Sequence, residues 1–112
     1  MDIKETLNGI TDFYYTNKTR SVDFRIDQLK KLKEAIIKYE PEFVRALYHD
    51  LHKCEAEVYM TETRSAIKEI DFIIRHLRKW ARPEKVPTPM FLKPSKSLIV
   101  KEPYGVVLII VP

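Results

Sequence analysis

The sequence predicts an α/β fold in which helices come first and strands last, so that most of the chain is helical. Three observations carry this. Apolar residues recur at intervals of three and four from Ile3 to about Ala81, the period of one helical face. Prolines then cluster at Pro83, Pro87, Pro89 and Pro94, where a helix cannot continue. Beyond them Val106 to Val111 is an apolar run without alternation, as expected of a strand buried on both faces of a parallel sheet covered by helices.

Ile3, Leu7, Ile10 and Tyr14 form the first stripe, with Asp2 placed as N-cap and Glu5 three residues on as its reciprocal partner in a capping box. The polar run Thr16 to Ser21 interrupts the pattern. Val22, Ile26, Leu29, Leu32, Ile36 and Tyr39 resume it, and the outer face pairs Asp27 with Lys31, Lys30 with Glu34 and Glu34 with Lys38 at helical spacing. Pro41 is expected to end this helix and to open another through Phe43, Val44, Leu47 and Leu51. From about Ala56 to Ala81 runs the longest pattern, with Met60, Ile67, Ile70, Ile74 and Leu77 on one stripe and Ala66, Ile73 and Trp80 widening it. Arg78, Lys79 and Arg82 complement the dipole at its end, and Pro83 stops it. About ten residues containing Pro87 and Pro89 read as extended linker. Ser97 to Lys101 then reads as a strand, Glu102-Pro103-Tyr104-Gly105 as a turn and Val106 to Val111 as a second strand. The domain boundaries expected are 1–84 for the helical segment and 85–112 for a proline-rich linker with first strands, together one incomplete domain.

Composition narrows the class further. At 112 residues the chain is too short for most complete oxidoreductase or transferase folds, while 45% hydrophobic and 32% charged residues with two glycines describe a folded, soluble chain. The single Cys54 allows no internal disulfide, and Met1 to Gly9 lacks the basic and apolar regions of a signal peptide, so a cytoplasmic location is expected. The run Val106 to Val111 is far below the roughly 20 residues needed to cross a bilayer, so no membrane span is expected. The formal net charge is +4, concentrated between Arg78 and Lys101, where seven basic residues face only Glu84. Prolines break that window and only Trp80 and Phe91 supply aromatics, which favours a solvated basic linker over a nucleic-acid footprint.

Side-chain clusters assign no reaction by themselves. His49 and His52 lie three apart beside Asp50, Cys54 and Glu55, but a closed zinc site wants four well-placed ligands, and surface histidines at a helix end account for them better. Cys54 lacks the Cys-x-x-Cys or basic context that activates a thiol. Glu62 and Glu69 fall close to one helical face, where paired carboxylates serve acid–base chemistry, although helical glutamates are usually solvated. Neither a glycine-rich phosphate loop nor a nucleophile elbow is present.

The whole chain nevertheless resembles the start of a class 3 aldehyde dehydrogenase. The resemblance runs through Phe24 to Leu29, Ala46 to Lys53, Glu57 to Glu62 and His76 to Trp80, and is strongest in Glu102-Pro103-Tyr104-Gly105-Val106-Val107-Leu108-Ile109-Ile110-Val111-Pro112. In that family the last segment leads into Trp-Asn-Tyr-Pro-Phe, whose asparagine helps to form the oxyanion hole. The resemblance implies amino-terminal helices and first strands of a Rossmann-like cofactor-binding domain. It also implies an enzyme that oxidises aliphatic or aromatic aldehydes through a cysteine thiolate and passes hydride to NAD or NADP, and a homodimer when full length. Ile110, Val111 and Pro112 match the strand end beside the cofactor, and Glu62 matches a helical glutamate near the mouth of the substrate pocket. Cys54 does not match the nucleophile's motif, and the catalytic half lies beyond residue 112. The alternatives are a non-catalytic helical interaction module, or remnant, and a basic nucleic-acid binder.

Overall fold

The computed structural model describes residues 2–110. Helix α1 spans Ile3–Tyr15, α2 Val22–Leu51, α3 Glu55–Val58 and α4 Arg64–Trp80, and strands β1 Glu84–Val86 and β2 Ser97–Ile99 follow. A 3-10 turn at Lys18–Arg20 separates α1 from α2, and a π-helical turn at Tyr59–Thr63 joins α3 to α4. The Asp2 side chain caps α1 as expected, but it accepts from the N–H of Lys4, at 2.9 Å, rather than from the third helical residue of a capping box.

The chain divides into two compact units, one of residues 25–77 and one combining 1–24 with 78–112. In the first unit, Lys33 of α2 donates to both carboxylate oxygens of Asp71 in α4 at 2.7 and 2.8 Å, and Thr63 donates to Glu40 at 2.7 Å. As the position on α2 rises from 33 to 40 its partner falls from 71 to 63, so the two helical segments run antiparallel. Ile26, Val58, Thr63 and Ile70 are the buried residues among those described, and all four belong to this unit.

Several expectations for the helices are corrected by the structure. Pro41 does not end a helix: α2 passes through it without interruption. The missing N–H leaves the Ile37 carbonyl without its helical donor, but Ile37 is 50% exposed, which brings water within reach of that oxygen. Before the proline, Lys33 and Glu40 are tethered to Asp71 and Thr63. The 30-residue α2, not the segment from 56 to 81, is therefore the longest helix. Met60 is also not on the buried stripe, being 70% exposed. Within the π turn the N–H of Arg64 bonds the carbonyl of Tyr59, so one extra residue enters the turn and rotates Met60 away from the register of Ile67 and Ile70. On the outer face of α2, Asp27 pairs with Lys30 at 3.9 Å, at a spacing of three rather than four.

In the second unit the proline-rich segment is not a plain linker. Glu84, Lys85 and Val86 pair antiparallel with Ile99, Leu98 and Ser97, so residues taken for linker form one arm of a hairpin. Pro87 cannot donate to a ladder, and the pairing ends before it. The Thr88 hydroxyl carries the contact one step further by accepting from the Ser97 N–H at 2.9 Å. The hairpin's far end is a 3-10 turn, Met90–Leu92, with Met90 and Phe91 exposed, and the Lys93–Pro94 peptide is cis. The expected strand at 97–101 is real but ends at Ile99. The expected strand from Val106 is not formed across the described residues Val106 to Ile110, and Val111 lies outside them. A strand exists only through ladder partners, and no described segment pairs with this one. It is left open to solvent, with Leu108 86% and Ile110 85% exposed.

Candidate functional site

Glu62 sits in the π turn, and its surroundings are built by three local features. His52 adopts a left-handed backbone (φ 55) at the end of α2, its N–H donating to the Tyr48 carbonyl at 2.9 Å and that of Lys53 to the Leu47 carbonyl at 3.4 Å. This turn closes the helix and sends Lys53 back towards the next helical segment. Lys53 then donates to Glu62 Oε1 at 2.6 Å. The π turn finally lets consecutive residues serve one site, since Glu62 meets Lys53 while Thr63 meets Glu40. Both Glu62 and Thr63 line an open pocket of about 440 Å³ whose other walls are Ile36, Phe43, Ala46, Leu47 and Ala66.

The hydrogen bond from Lys53 holds the Glu62 carboxyl below the ordinary carboxylate range, and the same bond raises the Lys53 ammonium above its usual range. A lowered carboxylate contributes stability above its unfolded titration range and loses it as pH falls. A raised ammonium contributes below its unfolded range and loses it as pH rises. The pair is therefore complete between roughly pH 6 and pH 9, given ordinary side-chain values. Glu62→Gln is expected to lower thermal stability slightly and evenly across that window, with the difference from wild type closing in acid; melts of both proteins as a function of pH check this. The other walls of the pocket, Ile36, Phe43, Ala46, Leu47 and Ala66, are apolar.

The second candidate segment begins at the turn Glu102 to Gly105. Arg20 Nη2 donates to both oxygens of Glu102 at 2.7 and 2.6 Å. The Tyr14 hydroxyl donates to the Pro103 carbonyl at 3.3 Å. Gly105 has φ +101, a conformation that favours glycine, and a Cβ there would lie 3.6 Å from the Tyr14 ring. Tyr104 between them is fully exposed, so alternate residues of the turn face Tyr14 and the others face water. Beyond it, Ile110 is exposed, and Val111 and Pro112 lie outside the described residues. The described residues 106–110 are wholly aliphatic.

Of the other sequence candidates, His52 enters the Glu62 site only through its backbone. His49 Nδ1 lies 3.0 Å from Asp50, and both side chains are well exposed. Cys54 is exposed at the start of α3. No group of three or more histidine, cysteine or acidic residues among those described is arranged to hold a metal ion. In the basic window Lys101 lies 3.9 Å from Glu84, and Arg78 pairs with Asp23. With only a few phosphate contacts available, affinity for nucleic acid is expected to be weak, indifferent to sequence and lost steeply with added salt, which a titration at two salt concentrations measures. Lys53 and the Glu40–Thr63 bond were not singled out from sequence, because their meeting with the site depends on the turn at His52 and on the π turn, neither of which has a local residue signature here.

The sequence profile described as the Aldehyde dehydrogenase family matches residues 4–112. The chain belongs to the aldehyde dehydrogenase family. It is 46% identical over 100 residues to the 4,4'-diaponeurosporen-aldehyde dehydrogenase of Staphylococcus aureus, covering 89% of this chain and 22% of that one. It is 36% identical over 108 residues to a Canis lupus familiaris protein named aldehyde dehydrogenase, dimeric NADP-preferring, covering 96% of this chain and 24% of the relative. A solved substrate-bound structure of Staphylococcus aureus AldH superposes with a TM-score of 0.87 at 41% identity, over 93% of this chain and 23% of that one. The aldehyde dehydrogenase fold class is thereby shown, with this portion mostly helical and carrying a small two-stranded sheet. The chain spans about a fifth of the length of these aldehyde dehydrogenases, and the match favours a portion of such an enzyme over a self-standing helical module.

Proposed function

We propose that these residues form the amino-terminal part of an enzyme that oxidises an aldehyde to a carboxylic acid with NAD or NADP as hydride acceptor. The observation that carries this is the family match running from residue 4 to residue 112. The dinucleotide, when bound, supplies the two-electron acceptor. The chain's own residues supply contacts. Ile110, Val111 and Pro112 are assigned to the cofactor side, where aliphatic surface can lie against a planar ring. Glu62, paired with Lys53, is assigned to the mouth of the aldehyde's pocket, and the apolar walls beside it suit an uncharged aliphatic or aromatic tail. Homodimeric assembly of the full-length protein and a cytoplasmic location belong to the same proposal. A dimeric relative supports the former. No helix among the described residues is long and apolar enough to cross a membrane.

The 112-residue chain by itself is expected to produce no reduced cofactor from aldehyde, because a positioned thiolate, a base and an oxyanion donor are all needed together. The assay is absorbance of reduced nicotinamide at saturating aldehyde. Turnover abolished by Cys54→Ala would mean that the nucleophile is here after all. A reading frame that continues past codon 112 into Trp-Asn-Tyr-Pro agrees with the proposal, and a stop codon there points to a remnant instead.

A further inference from the structure

We propose that Tyr14 and Arg20 are positioning residues that aim the segment Val106 to Ile110, and with it the cofactor-side residue Ile110, by clamping the turn Glu102 to Gly105. This rests on the function proposed above and adds to it two residues remote in sequence from the segment they govern.

The geometry makes a clamp of unusual economy. Two residues six apart hold two neighbours that lie 82 and 89 residues away from them in sequence: Arg20 grips the Glu102 carboxylate and Tyr14 the Pro103 carbonyl. Tyr14 ends the apolar stripe of α1, and Arg20 closes the short 3-10 turn that follows it, so both come from regular structure that fixes where their side chains begin. A Cβ at residue 105 would touch the Tyr14 ring at 3.6 Å, an ordinary contact, so it is the left-handed φ of +101 that calls for glycine and redirects the chain at that point. Three of the turn's four residues thus meet α1 and its extension, and Tyr104, the residue left out, is fully exposed. Stability is a poor explanation for the arrangement. The Arg20 and Glu102 side chains are 51% and 60% exposed, and ion pairs that exposed add little to folding. What the clamp does supply is direction, because a turn held at its charge, its carbonyl and its glycine has little freedom to launch the next residues elsewhere. Ile110 lies only five residues beyond Gly105, so the direction set at the turn bears on where it arrives.

The test uses the complete enzyme that carries this segment. Tyr14→Phe keeps the ring and deletes the hydroxyl; Arg20→Gln and Glu102→Gln delete the charges singly; Arg20→Glu combined with Glu102→Arg restores the pair reversed. Dinucleotide Kd is measured by direct titration with NAD and NADP, beside cofactor KM, kcat and the thermal midpoint. Each single variant is expected to raise Kd and cofactor KM roughly five- to tenfold while leaving the midpoint within about 2 °C, and the reversed pair to recover most of the loss. A lowered midpoint with Kd unchanged overturns the proposal, since the clamp would then be structural only. If the wild type binds dinucleotide but turns over no aldehyde, the proposed function fails while the Kd values still decide the clamp. A wild type that binds neither dinucleotide overturns both.

Discussion

Ile109→Asp is expected to act in opposite directions in two settings. In the 112-residue chain Val106 to Ile110 is an aliphatic run open to solvent, with Ile109 75% exposed, beside Ile3, Leu7 and Ile10, which are exposed as well. Apolar backbone with no ladder partner invites pairing with another copy, so the isolated wild-type chain should self-associate or precipitate. A charge at residue 109 should make it more soluble. In the complete enzyme the same run is expected inside a parallel sheet, where the new carboxylate would be buried without a partner at a cost of several kcal/mol. Sedimentation of the two short chains and thermal melts of the two complete enzymes measure both arms. A wild-type chain that stays monomeric at high concentration, with 106–110 protected from hydrogen exchange, would show that these residues already have their neighbours.

The second large effect is expected at the junction of α3 with the π turn. Val58 is fully buried, at 0% exposure, and Met60 two residues on is 70% exposed. Val58→Asp should unfold the 25–77 unit, because an unpaired buried carboxylate costs several kcal/mol and marginal domains have little more than that to lose. Val58→Ala should cost roughly 1.5–3 kcal/mol, from two lost methyl groups and the cavity left behind. Met60→Asp should change stability by no more than about 0.5 kcal/mol. Chemical denaturation of the three variants gives these differences directly. A regular helix through 56–81 would put Met60 on the same stripe as Ile67 and Ile70, so equal damage at both positions would contradict the π register.

Much of this architecture is legible in the residues, and the parts that are not share a cause. The stripe from Ile3 to Tyr14, the polar break at 16–21 and the broad face of Ile67, Ile70, Ile74 and Leu77 are local periodicities, and local periodicity is what a sequence displays. Pro41 misleads because its penalty is local while α2 is also tied by Lys33 and Glu40 to residues 71 and 63, remote in sequence. Glu84 to Val86 misleads for the same reason, as its strand partner lies beyond Pro94. The run from Val106 has the composition of a buried strand but no neighbour among the described residues to make it one. At the candidate site, Glu62 was found by its resemblance to a family position, whereas Lys53, its ion-pair partner, is brought there by the backbone of His52.

The proposal that residues 1–112 form part of an aldehyde-oxidising enzyme can be put to trial in a chimera. Residues 1–112 are joined in frame to the remaining four-fifths or so of the Staphylococcus aureus relative, replacing its matching segment, which is 46% identical. Reduced-cofactor absorbance is then followed with aldehyde and NAD or NADP. Aldehyde-dependent production of reduced cofactor is expected at a rate within about tenfold of the parent enzyme, the range left by modest changes at substrate and cofactor contacts. A chimera that folds, melts cooperatively and binds dinucleotide, yet makes no reduced cofactor from any aldehyde the parent accepts, would contradict it.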